Sequence, residues 1–109
     1  MQDLSAVVFV IDSADEERFE EAKEDIQTIL KMIEDADPPL AKVAFLVLAN
    51  KQDKPEAKRP EELVTIFDMH ELFQDLCWRI YGVSALDPMG DGYTPLRDPF
   101  EWLWKVVQV

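Results

Sequence analysis

Asn50-Lys51-Gln52-Asp53 brings an amide, an ammonium and a carboxylate within four positions, directly behind the apolar run Val43 to Ala49. A carboxylate such as that of Asp53 accepts two hydrogen bonds side by side, and guanine offers two donors on one edge, N1–H and the exocyclic amino group. Adenine cannot satisfy the same carboxylate. A site whose polar group is left unpaired by the wrong ligand discriminates by roughly 10^4 or more, so one Asp could carry most of a base preference. Asn50 would brace the loop and reach the purine N7 side, and the stem of Lys51 would lie across the base face. The same four residues also make an ordinary polar turn after a strand, so the chemistry depends on what surrounds them.

Those surroundings are legible as alternating elements. Ala6 to Ile11 is unbroken, apolar and rich in β-branched residues, as in a strand covered on both faces. Asp12-Ser13 ends it, and Ser13 with Glu16 has the spacing of a capping box. The helix so opened repeats Phe19, Ala22, Ile26, Ile29, Leu30 and Ile33 at helical spacing. Its other side carries Glu16, Glu17, Glu20, Glu21, Glu24 and Asp25, which reads as a solvated face, with a basic partner as the alternative. Pro38-Pro39 stops this helix. Val43 to Leu48 is the second strand and Asn50 to Arg59 its loop. Pro60 is placed to begin a shorter helix carrying Leu63, Ile66 and Phe67. Leu76 to Val83 is the third strand. Ser84-Ala85 and a loop with Pro88, Gly90, Gly92 and Pro95 follow, and Asp98 with Glu101 spaces as a second capping box. The last helix places Phe100, Leu103, Trp104 and Val107 on one stripe, expected to face the core.

Three strands joined by helices must run parallel. The expected fold is therefore α/β and three-layered, a partial doubly wound sheet of three strands alternating with three helices, in a single domain over residues 1–109. At a parallel sheet's carboxyl edge, loops such as Asn50 to Asp53 are where ligands are read.

The 109 residues suffice for one core. Hydrophobic residues at 48% and charged ones at 31% are globular proportions. The net charge of -12, from 23 acidic and 11 basic side chains, repels phosphate backbones and anionic headgroups, which excludes nucleic acid as an expected partner. No apolar run approaches the about eighteen residues of a membrane span, and the first residues lack the pattern of a signal peptide, so a cytoplasmic protein is expected. The one cysteine, Cys77, precludes an intramolecular disulfide and fits a reducing compartment. Within Leu76 to Val83 it reads as a small core residue, a reactive thiol being the alternative. The one histidine, His70, has no second histidine with which to hold a metal.

With Asn50 to Asp53, Val10-Ile11-Asp12-Ser13-Ala14-Asp15 and Ser84-Ala85 in view, the chain resembles the C-terminal half of an Arf-like small GTPase, a Ras-like P-loop fold. Asp-Ser-Ala-Asp with Glu17-Arg18 and Glu21-Ala22-Lys23-Glu24 is similar to that family's third helix and its entry. Gly90-Asp91-Gly92 with Trp102-Leu103 is similar to the approach to its last helix. A longer linker near Pro38-Pro39 and an insertion near Tyr93 to Asp98 depart from the pattern. The resemblance implies GTP or GDP as ligand, a guanine-base site formed by Asn50, Lys51, Asp53, Ser84 and Ala85, and a role as a membrane-traffic switch. In the family, backbone amides of the loop matching Ser84-Ala85 meet the guanine O6.

The family's phosphate machinery has no counterpart among these residues. Its members use a Gly-rich loop ending in Gly-Lys-Ser/Thr, a switch threonine for magnesium and an Asp-x-x-Gly. Here the three glycines are Gly82, Gly90 and Gly92, none in a phosphate loop, and Asp87 to Gly90 falls after the base-reading loop, where it reads as a chance match. Phosphoryl transfer rests on those groups. The expectation is a chain with no catalytic residue assigned, weak or absent nucleotide binding, no GTP hydrolysis alone, and magnesium only if the missing half is supplied.

Without that half, residues 6–11 would be an apolar edge strand, to be covered by the N-terminal half, a partner protein or a second copy. Part of the Phe100, Leu103 and Trp104 stripe would be exposed with it. The family's N-terminal membrane-binding segment has no match, so direct membrane insertion is not expected, and membrane contact belongs to a complete form. The contrasting reading is a nucleotide-free interaction module or pseudo-GTPase scaffold. A receiver-like domain using Asp12 and Asp53 fits more loosely.

Overall fold

A strand covered on both faces must be apolar throughout, and the run Val43 to Ala49 is such a strand, whereas Ala6 to Ile11, expected to be covered likewise, leaves Val8 and Val10 exposed because it lies at the sheet edge. The computed structural model describes residues 4–36, 42–74, 76–86 and 93–107. Within them β1 (Leu4–Asp12), β2 (Lys42–Asn50) and β3 (Cys77–Gly82) form one parallel sheet in the order β1-β2-β3. In register, Asp12 lies opposite Asn50 and Ala49 opposite Gly82, so the strands finish level with one another. The intervening helices are α1 (Phe19–Glu34), α2 (Pro60–Ile66), the single turn α3 (Met69–Leu72) and α4 (Arg97–Val107). This is the expected α/β order, with α3 as an addition that the short Met69-His70 segment did not announce.

Two apolar layers sandwich β2, whose residues Val43 to Ala49 are all buried. On one face Phe45, Val47 and Ala49 meet Phe19 and Ile26 of α1, Leu63 of α2, and Phe67, Met69 and Phe73. Phe45 and Phe73 stand 4.6 Å apart by ring centroid, and Phe19 and Phe67 5.5 Å. On the other face Leu46, Leu48 and Val83 meet Tyr81, Leu96, Trp102 and Leu103. Helices on both faces give the three layers. The acidic residues Glu16, Glu17, Glu20, Glu21, Glu24 and Asp25 are exposed, as a solvated helix face should be.

Several local expectations are corrected. Ser13 does not cap α1: a 3-10 turn at Glu16–Arg18 comes first, and Ser13 is itself buried. Its amide donates to the Asn50 carbonyl at 3.3 Å and its carbonyl accepts from Lys58 N–H at 2.8 Å, so tertiary pairing claims the residue. Asp98 lies inside the first turn of α4, its amide bonded to the Pro95 carbonyl at 3.0 Å, and is not the residue before the helix. Pro60 does begin α2, with Arg59 N–H bonded to Glu62 Oε1 at 2.9 Å.

Ile66, Phe100 and Trp104 are exposed, Trp104 at 62%, and the buried side of α4 is set by Pro99, Trp102 and Leu103 instead. Cys77 is exposed and not a core residue, because β3 is an edge strand whose outer residues alternate away from the packed face. His70 stands edge-on to Trp78 at 5.4 Å. The Pro38-Pro39 connector, Asp87 to Gly90 and Gly90-Asp91-Gly92 lie outside the described residues.

Candidate functional site

The level ends of a parallel sheet bring its carboxyl-end loops into one row. Here Asp12 ends β1, Asn50 ends β2 and Gly82 ends β3. Beyond them the loops are laced together by backbone bonds: Val83 N–H to Ala49 O at 2.9 Å and Gln52 N–H to Val83 O at 3.0 Å. All five sequence-predicted site residues fall in this row.

Asn50 Oδ1 accepts the Ala85 amide at 2.9 Å, clasping the second loop to the third. Ser84 is buried, and its hydroxyl donates to Asp53 Oδ1 at 2.7 Å. Asp53 itself is exposed, so a buried hydroxyl orients a carboxylate that faces solvent. Lys51 turns the chain with φ 66°, in the left-handed region that a non-glycine residue adopts only at a cost. Its ammonium donates to Asp12 Oδ2 at 2.8 Å, across to the end of β1. Asp12 Oδ1 is held in turn by the Ala14 amide at 3.1 Å. The bond from Lys51 is the main cause that holds the Asp12 carboxyl below its ordinary value, ahead of a smaller opposing effect of burial. The same bond raises the Lys51 ammonium.

Sequence reasoning passed over the residue that holds the loop from within. Gln52 is 4% exposed, its side-chain amide donating to the Lys58 carbonyl at 2.8 Å and accepting from Arg59 Nη1 at 2.9 Å. Arg59 Nη1 also lies 3.2 Å from the Gln52 carbonyl. An uncharged residue between Lys51 and Asp53 carries no signal of this in a single sequence. Arg59 had one: the residue before a proline is extended, and with Pro60 opening α2 it must stand at the helix entrance. Gly82 completes the packing, since a Cβ there would come within 2.8 Å of Pro60 Cγ and 3.2 Å of Gln52 Cγ.

Two open depressions lie elsewhere, along α1. One of about 260 Å³ runs between the end of β1 and α1, beside Asp12, Asp15 and Asp25. The other, about 280 Å³, lies among Phe19, Lys23, Lys58 and Ile66. Neither includes Asn50, Asp53, Ser84 or Ala85. That row can present a fixed carboxylate, an amide and a lysine stem to one planar ligand edge.

Known proteins resemble the chain in sequence and in fold. The sequence pattern of the ADP-ribosylation factor family matches residues 1–107. ADP-ribosylation factor-like protein 1 of Saccharomyces cerevisiae is 35% identical over 106 residues, which is 97% of this chain and 52% of that protein. ADP-ribosylation factor K of Dictyostelium discoideum is 35% identical over 99 residues, 91% of this chain and 47% of the relative. The chain thus spans about half the length of the relatives it matches. Among solved structures, the Arl6 BBS3 small GTPase of Trypanosoma brucei, with the bound nucleotide analogue GppNp, superimposes with a TM-score of 0.79 at 36% identity, over 93% of this chain and 57% of the other. Carrying the strand order, the loop row and these relatives together, the chain belongs to the ADP-ribosylation factor (Arf) family of small GTPases.

Proposed function

We propose that this chain is the guanine-reading portion of an Arf-like GTP-binding switch, with Asp53 accepting from guanine N1–H and the exocyclic amine. The observation that carries the reading is the pair of cross-loop bonds, Ser84 to Asp53 and Ala85 to Asn50, which fix a carboxylate and an amide side by side. Guanine O6 would take or share the Ala85 amide that Asn50 Oδ1 now accepts. The stem of Lys51 would cover one face of the ring.

These residues suit the base and not the phosphates. The sequence holds no Gly-x-x-x-x-Gly-Lys-Ser/Thr, the pattern by which a glycine-rich loop cradles phosphates. Magnesium and the phosphate-binding groups, where present, would come from residues outside this chain and would supply charge neutralisation for phosphoryl transfer. The chain alone therefore binds GDP or GTP weakly and does not hydrolyse GTP. In a working form its β1 edge is covered by the rest of a family-length domain, a partner protein or a second copy, and that form acts in membrane traffic. The acidic surface fits a protein that avoids nucleic acid, and any peripheral contact with membranes belongs to a complete form that works in the cytoplasm. Among the described residues no helix is long and apolar enough to cross a membrane.

The test is equilibrium binding of a fluorescent GDP with unlabelled GDP and ADP as competitors. Displacement by GDP alone, lost in Asp53→Ala, is expected. Equal displacement by ADP, or no binding by the folded chain, would overturn the base-reading assignment.

A further inference from the structure

We propose that Asp12 is a positioning residue of the base site, acting through Lys51. The inference rests on the guanine-reading role proposed for the row. Its structural ground is that consecutive residues of the loop are tied in opposite directions across the sheet. Asp53 is fixed toward the segment after β3 by Ser84, whereas Lys51 is fixed toward the end of β1 by Asp12. The stem of Lys51 therefore runs along the carboxyl edge from β2 to β1, and Asn50 and Asp53 stand on the β3 side of it.

Three features make this an anchor with a direction. The Asp12 carboxylate is oriented before it meets lysine, since the Ala14 amide holds Oδ1 and leaves Oδ2 for Lys51. Strand register sets Asp12 opposite Asn50, so the distance to be spanned is fixed by the sheet and not by a loop. The positive φ at Lys51 sends a long, rotamer-rich side chain back across the edge, where an unanchored stem would sample many rotamers. The pair is also half exposed, 41% and 39% for the two side chains, and such ion pairs add little to global stability. The consequence is separable: losing the anchor should disturb the lysine far more than the fold.

The experiment measures GDP binding, with ADP as competitor, for the wild type, Asp12→Asn, Lys51→Ala and the double variant, alongside thermal melting of each. Asp12→Asn should melt close to the wild type and bind GDP about two- to five-fold more weakly, the size of an exposed contact between a cation and a ring. In the Lys51→Ala background the same change should have no further effect, because the anchor has nothing left to hold. A nucleotide-free readout accompanies these: the Lys51 ammonium, followed by NMR, should titrate lower in Asp12→Asn, with Asp15 and Asp53 as the acidic groups remaining beside it. Wild-type binding that Asp12→Asn leaves unchanged, or additive losses in the double variant, would overturn the positioning role and leave the base site standing. Failure of the wild type to bind GDP would remove the base site and the positioning role together.

Discussion

Ser84 is buried while its partner Asp53 is on the surface, and this division of labour governs what each substitution does. Ser84→Ala deletes the hydroxyl that orients the carboxylate and leaves the fold's apolar contacts alone. Weakening of GDP binding by about five-fold is expected, near the net worth of one hydrogen bond, with melting nearly unchanged. Gln52→Ala acts the other way, since it removes a buried side chain that bonds the Lys58 carbonyl and the Arg59 guanidinium. A loss of about 1 kcal/mol in denaturant unfolding is expected there, near the net worth of one or two hydrogen bonds. Asp12 adds a pH dependence whose sign follows from its partner. Its folded carboxyl titrates below the ordinary 3.8, so its contribution is complete above that value and disappears as pH falls through the lower, folded one. Unfolding midpoints followed over about pH 2 to 5 should fall less steeply for Asp12→Asn than for the wild type.

Elements meet where β3 ends and α2 begins, and there a single Cβ decides the fit. Gly82 sits against Pro60, the first residue of α2, at a distance that no side chain can share. Gly82→Ala should destabilise the protein by about 1–3 kcal/mol through overpacking, read as a lower denaturant midpoint. Because Val83, one residue on, bonds both Ala49 and Gln52, the same substitution should also weaken GDP binding. This part of the architecture was partly legible. Pro60 announces a helix start from its fixed φ and missing N–H, but a glycine at a strand end says nothing about which residue approaches it. The capping boxes at Ser13 and Asp98 failed for a related reason. Spacing permits a cap, whereas the backbone of Ser13 is recruited by Asn50 and Lys58 from other loops.

Among the described residues the sheet has β1 and β3 at its two edges, and β1 is the longer and more apolar of them. Val8 and Val10 are exposed, Val10 at 55%, alongside Phe100 and Trp104 of α4. An uncovered edge with such residues recruits other strands. Concentration-dependent association is expected in sedimentation velocity, reduced by Val10→Lys. A wild type that stays monomeric at high concentration would show that the edge needs no cover. The net charge of -12 opposes stacking of like chains, so association should strengthen with added salt as that repulsion is screened.

Sequence alone determined the succession of elements and the residues of the row, because a buried parallel strand must be continuously apolar and its ligand-facing loop must follow at once. Val43 to Ala49 then Asn50 to Asp53 is such a succession, and the α1 stripe of Phe19, Ala22 and Ile26 follows helical spacing as directly. What only the tertiary structure decided are the pairings between loops distant in sequence: Asp12 with Lys51, Asn50 with Ala85, Ser84 with Asp53, and Gln52 with Arg59. It also decided which apolar residues lie inside. Cys77 and Ile66 read as core by type, yet both are exposed, Cys77 because β3 is an edge, whereas the exposure of Phe100 and Trp104 is that expected of an α4 stripe without its neighbour. Periodicity tells a residue which side of its own element it occupies. Whether anything covers that side depends on strand order, and strand order is fixed by packing.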